Sequence, residues 1–196
     1  MNIEIRKLTP ELAEDYAHFF DVTPHDDRTN KAELPCYCVT WRSDDSYAGN
    51  GDHWYPTREE RRERAMQFVR DGSIQGYLAY HGDKIVGWCN ANADCNGCVN
   101  YLRGFWTIEK YSADIRIKSI FCFVIAPEMQ RKGIATQLLE RVCEDAAGDG
   151  FDYVEAYVNQ SIIDHDFRGP LAMYEKCGFE IIAEREGKVV VRKALK

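Results

Sequence analysis

The chain predicts an α/β (α+β) fold, and three observations predict it. An apolar run over 116–125 passes through a short loop into an amphipathic helical pattern over 134–147, and a further apolar run follows at 153–158. Two pairs of runs, 75–81 with 84–90 and 179–183 with 188–194, close on Gly82-Asp83 and Glu186-Gly187, as hairpins do. Hydrophobic residues make up 45% and charged residues 29% of the 196, so the chain can bury a core rather than remain disordered. That length predicts one domain over 1–196.

The elements follow in order. Ile3 and Ile5 alternate with charges, so 2–7 reads as a strand. Thr9 suits an N-cap and Pro10 a first helical turn, with Leu12, Tyr16 and Phe19 or Phe20 turned to the core. Residues 21–55 are irregular, aromatic and acidic, too long for an idle connection, and read as a substrate-side excursion. Thr57-Arg58-Glu59-Glu60 reads as a capping box, opening a helix that ends near Asp71-Gly72, with Ala65, Phe68 and Val69 on its apolar side. Residues 99–114 take no assignment. Leu138, Leu139, Val142 and Ala146 recur at helical spacing after the apolar strand. Pro170 starts a short helix over 170–177 that Gly178 stops.

The formal net charge is −7 with no basic stripe to offset it, which speaks against nucleic acid as a partner and favours a cationic substrate. No run of about 18 apolar residues exists, so no membrane span is expected. Met1 to Arg6 begins a strand without the regions of a signal peptide, and a cytoplasmic location is expected. Of eight cysteines, Cys89, Cys122, Cys143 and Cys177 fall in apolar elements. Cys36-Tyr37-Cys38-Val39 reads as extended, and its pairing with Cys95 and Cys98 lacks regular zinc spacing. Reduced thiols and no metal are the expectation.

The loop Gln130-Arg131-Lys132-Gly133-Ile134-Ala135 sits where the helix begins. A helix N-terminus presents unpaired N–H groups and the positive end of the dipole, so it can hold a pyrophosphate. Gly133 lets the backbone approach the anion, Ala135 keeps the next turn small, and Arg131 and Lys132 add charge. This stretch resembles the acetyl-coenzyme A motif of the GNAT N-acetyltransferases, met here by Gln130, Gly133 and Ala135. A second element, Met173-Tyr174-Glu175-Lys176-Cys177-Gly178-Phe179, resembles the family's later tyrosine helix. These motifs span 117–179, and the order β, α, α, β, β, β, α, β, α, β, β resembles the whole domain.

The resemblance implies a central mixed sheet, mostly antiparallel, with one splayed parallel pair formed by 116–125 and 153–158. It implies acetyl-CoA as cosubstrate, held by Gln130, Arg131, Lys132, Gly133, Ile134, Ala135 and Thr136, with the pantetheine arm paired to Phe123, Val124 and Ile125 as an added strand. An amide near Val124 would polarise the thioester carbonyl. Tyr174 matches the tyrosine that supplies a proton to the leaving thiolate in many members.

Two positions depart from the family. Histone-type members carry a glutamate base eleven residues before the loop, where Ser119 stands here. Glu155 on the partner strand is one substitute, acting through water, with Asp114, Asp164, His165 and Asp166 as others. Many relatives have an asparagine seven residues before the tyrosine, where Phe167 stands. Residues 160–169 are therefore expected over the acceptor side, with Arg168 facing a substrate carboxylate or clamping one of the chain's own.

Trp41, Trp54 and Tyr55 offer faces for a cationic or aromatic amine. They would serve equally to cover a sheet edge or to form a homodimer contact. The expected function is transfer of an acetyl group from acetyl-CoA to a primary amine of a small molecule or protein, in a ternary complex. The alternative is a non-catalytic acetyl-CoA sensor.

Overall fold

The computed structural model describes residues 1–24, 35–39, 55, 57–93, 114–161 and 166–196. In chain order come β1 (Glu4–Lys7), α1 (Ala13–Val22), α2 (Arg58–Arg70), β2 (Gly76–His81), β3 (Lys84–Asn92), β4 (Ile117–Ile125), α3 (Ile134–Gly148), β5 (Tyr153–Asn159), α4 (Leu171–Lys176), β6 (Glu180–Arg185) and β7 (Lys188–Ala194). The strands form one seven-stranded sheet in the order β1-β2-β3-β4-β5-β7-β6. All described pairings are antiparallel except β4 with β5. This is the expected mixed sheet with one parallel pair.

Each face of the sheet carries its own core. Leu138, Leu139, Val142 and Ala146 of α3 pack on one face against Ile120, Val154, Ala156 and Val191. Each large side chain buried this way contributes about 1.5–3 kcal/mol. The other face is covered by α1 and α2, whose Tyr16, Phe20, Ala65 and Phe68 join Leu78, Trp88, Cys122 and Val124. Tyr16 meets Trp88 edge-on, ring centroids 4.8 Å apart. With a helix layer on each side, the central β4 is almost wholly buried along its length, as a strand covered on both faces must be.

Local signals formed the elements they predicted. Thr57 and Glu60 make the reciprocal capping box of α2. Thr9 occupies an N-cap, but its side chain makes no capping bond, and a 3-10 turn over Pro10–Leu12 precedes α1. The Cys36–Val39 segment is not extended. Tyr37 and Cys38 have φ of 44° and 49°, because the segment folds into a turn that tucks both side chains beneath α1. The Tyr16 hydroxyl donates to the Tyr37 carbonyl at 2.7 Å, which satisfies that buried group. The described cysteines are free thiols, with Cys38 and Cys122 sulfurs 3.0 Å apart. Among the described residues no group of His, Cys, Asp and Glu could hold a metal ion, and Cys95 and Cys98 lie outside them. No described helix is long and apolar enough to cross a membrane.

Asp21 ties this face together. It accepts from the Tyr37 hydroxyl at 2.6 Å and from Arg62 Nε at 2.9 Å, with Arg58 at 3.6 Å. Burial pushes its carboxyl upward, but these donors outweigh burial and hold it below the ordinary aspartate range. A depressed folded pKa stabilises above the unfolded value, and the benefit is lost as pH falls through the folded one. Asp21→Asn should therefore lose about 1–2 kcal/mol at neutral pH. Its deficit against wild type should shrink below about pH 4 in paired urea melts. A deficit independent of pH would place the effect in packing rather than charge.

Candidate active site

The loop after β4 builds a cradle of backbone N–H groups at the start of α3. Pro127–Met129 forms a 3-10 turn, and Gly133 is the N-cap of α3. Arg131 and Gly133 both have left-handed backbones, with φ of 59° and 79°. Such turns make successive N–H groups converge on one point. The first turn of α3 carries no acidic residue, so nothing there competes for its N–H groups or opposes an anion. Arg131 and Lys132 are exposed, and no ion pair to either occurs among the described residues. A side chain at Gly133 would meet nothing within 4 Å, so the cradle opens outward. Gln130 Nε2 donates to the Ile125 carbonyl at 3.2 Å and ties the loop back to the strand.

The parallel strands pair only over Ile117–Ile120 and Tyr153–Ala156, and then part. The cause is a β-bulge. Asn90 faces Cys122 and Ala91 faces Ile120, so Phe121 is an extra residue on β4. A bulge bends and twists its strand, here immediately after Ile120, the last residue that still pairs with β5. The Phe121 ring lies parallel to Tyr157 across the opening, centroids 5.9 Å apart.

Register decides which backbone groups face this opening. Ala126 N–H donates to Val86 at 3.0 Å, so Val124, two residues earlier, belongs to the hydrogen-bonded class with Trp88. The expected oxyanion donor at Val124 is therefore corrected: its amide turns to β3. Phe123 and Ile125 turn toward β5. The Phe123 N–H is met by the Phe167 carbonyl at 2.6 Å and the Ile125 carbonyl by Gln130, so the Ile125 N–H is the amide that this edge of the strand still presents to the opening. The loop 166–170 thus enters the opening. Gly169, at φ 80°, lets it close on Met173 and Phe123, since a Cβ there would lie 2.9 Å from Met173 Cε.

Tyr174 is fully buried, edge-on to Phe123 and Phe179. Its hydroxyl donates to the Arg168 carbonyl at 2.8 Å, and burial holds the phenol well above its ordinary range, so it stays protonated. Arg168 donates from Nη1 to the Tyr157 carbonyl at 3.4 Å, and its N–H donates to Asp166 at 2.9 Å.

On the α1/α2 face, register draws a polar row across the sheet: Asn92 beside Ser119, Ser119 beside Glu155, Glu155 beside Arg192. Ser119 and Glu155 are fully buried. Glu155 accepts from Arg192 Nε at 2.6 Å and from the Tyr157 hydroxyl at 3.4 Å.

The sequence matches the acetyltransferase (GNAT) family over residues 9–179. The chain belongs to the GNAT acetyltransferases. Similar solved structures share the fold at low identity. A GNAT-family acetyltransferase from Streptococcus pneumoniae aligns at 19% identity and TM-score 0.58, with all of both chains covered. The PaiA N-acetyltransferase of Thermoplasma acidophilum, solved in complex with coenzyme A, aligns at 17% and 0.55, covering 99% of each chain. The ribosomal-protein-S18-alanine N-acetyltransferase of Escherichia coli aligns at 13% and 0.51, covering 99% of this chain and 94% of that one.

Placed on this GNAT framework, the sequence-derived residues fall into three groups. Gln130 to Thr136 gather at one helix end, and Phe123 and Ile125 face the opening beside them. Tyr174 and Glu155 lie across the divergence of β4 and β5, on opposite faces of the sheet. Tyr55 is half-buried at the start of α2, where its carbonyl accepts from Arg61 at 2.8 Å and its ring lies under Arg64. Trp41, Trp54, Asp164 and His165 lie outside the described residues. Arg192, the Phe121 bulge and Asn90 escaped sequence reasoning. Each acquires its place from strand register, and no local pattern marks them.

Proposed function

We propose that this GNAT protein transfers an acetyl group from acetyl-CoA to a primary amine of a small molecule or protein. The observation that carries the reading is the anion cradle at Gly133, placed beside an opening between parallel strands. The cradle fits a pyrophosphate by its converging N–H groups, its two exposed cations and the absence of acids from the first turn of α3. Ile125 offers backbone pairing to an arm that continues from it. Bound acetyl-CoA supplies the acetyl group as a thioester.

The chain's own groups manage the protons. An alkylammonium has a pKa of about 10 and must lose a proton before it attacks. Glu155 stands directly beside Ser119, the position of the family's strand glutamate, so the carboxylate is displaced by one strand rather than lost. It takes the proton directly or through water. A C–N bond then forms as the C–S bond breaks, and the proton that nitrogen sheds on becoming an amide passes through water to restore the phenol that protonates the leaving group. The Tyr174 O–H, turned from the Arg168 carbonyl, donates to the departing sulfur. Burial keeps the phenol protonated until the thiolate forms.

Thiol release from acetyl-CoA, measured with benzylamine, cadaverine and an alanyl-alanine dipeptide, tests the reading. Amine-dependent release supports it. Cofactor binding without release for any amine would favour the sensor instead. Tyr174→Phe should keep acetyl-CoA affinity and lower turnover by roughly ten- to a thousandfold. Undiminished turnover with chemistry rate-limiting would leave Tyr174 a packing residue that caps Arg168.

A further inference from the structure

We infer that Asn90 is an acceptor-positioning residue, whose side-chain oxygen receives an N–H of the amine during transfer. The inference deepens the amine-transfer reading and rests on it. Asn90 is 1% exposed, and its Oδ1 is buried with no hydrogen-bond partner among the described residues. Buried polar side-chain atoms almost always have one, so an orphan calls for an explanation. Its place supplies one. Asn90 lies on β3 between Gly76 and Cys122, on the same face as Trp88 two residues before it. That face carries Ser119 and Glu155 one row away, and the Phe121 bulge adjoins Cys122 on the neighbouring strand. The neighbouring Cys122 thiol is engaged with Cys38 rather than with the amide oxygen.

A primary amine has two N–H bonds and one lone pair in its reactive form. With one N–H held on Asn90 Oδ1, the orientation of the amine is set and its lone pair is left to face the thioester carbon. Asn90 takes no proton. It accepts a hydrogen bond before and during C–N bond formation, and the proton that nitrogen then sheds leaves through water. A neutral amide oxygen suits this task, because it orients the neutral amine without holding it as an ammonium ion.

A group retained for a ligand against the interest of folding has a two-sided signature. Asn90→Leu replaces the orphaned amide by an apolar side chain of similar size. Its melting temperature should equal or exceed that of wild type. Its kcat/KM for whichever of benzylamine, cadaverine or alanyl-alanine the wild type uses should fall about tenfold, chiefly through the amine KM, with acetyl-CoA KM unchanged. Asn90→Ala is read by the same kinetic split if the leucine variant does not fold. Wild-type amine kinetics in a folded variant, or a loss that falls on acetyl-CoA instead, overturns the inference alone. So does a lowered melting temperature with unchanged kinetics, the result expected if a resident water satisfies Oδ1. If wild-type protein releases thiol with none of the amines, the amine-transfer reading fails and the inference falls with it.

Discussion

Gly133→Glu is expected to abolish stabilisation of the protein by acetyl-CoA. A ligand that binds only the folded state stabilises it by about 2.7 kcal/mol at a hundred times its Kd. For a chain of this size that is a rise in Tm of about 5–11 °C. Gly133 is the N-cap of α3, and a side chain there projects into open space beside the converging N–H groups. A glutamate places its own carboxylate where the pyrophosphate should lie, repelling it and occupying the donors. The left-handed backbone adds a strain of roughly 1–2 kcal/mol. Gly133→Asn separates the two effects, because asparagine tolerates this conformation and carries no charge. The asparagine variant should retain most of the ligand-induced shift. A full shift in folded Gly133→Glu would show that the cofactor binds elsewhere.

Glu155→Gln should affect both stability and rate. Glu155 is wholly buried and Arg192 is 19% exposed, so removal of the carboxylate leaves a guanidinium with little access to water. Breaking such a pair costs about 3–5 kcal/mol, less where one partner reaches solvent. The expected fall in Tm is about 6–12 °C. Turnover should drop by roughly a hundred- to ten-thousandfold if the carboxylate is the base. The double variant Glu155→Gln/Arg192→Met removes both charges of the pair and should recover much of the stability. Turnover should not recover with it. If the double variant regains wild-type turnover, the ion pair is a clamp between β5 and β7 and the base lies elsewhere.

The legibility of the site followed the range of the interactions that make it. The loop Gln130–Ala135, the Thr57 box and the Gly82-Asp83 hairpin were all readable, because each is specified within a few residues of chain. Ser119 could be excluded as a base by its chemistry alone. The role of Val124 could not be assigned correctly, because alternate residues of a strand turn their amides to opposite neighbours and only the pairing says which. The Cys36–Val39 turn was misread as extended, because burial under α1 and the Tyr16 hydroxyl, not local propensity, hold Tyr37 and Cys38 at positive φ.

By itself, then, the sequence determined the order of elements, the glycine loop that opens α3 and the tyrosine helix, since propensities, caps and glycine positions act locally. The tertiary structure alone decided that Phe121 bulges, that Phe167 meets the Phe123 amide, that Glu155 faces both Ser119 and Arg192, and that Asn90 Oδ1 is left without a hydrogen-bond partner among the described residues. All four depend on strand register. A shift of one residue reverses every facing along a strand, while the alternating apolar pattern that the chain displays says little about which residue of a neighbouring strand lies opposite.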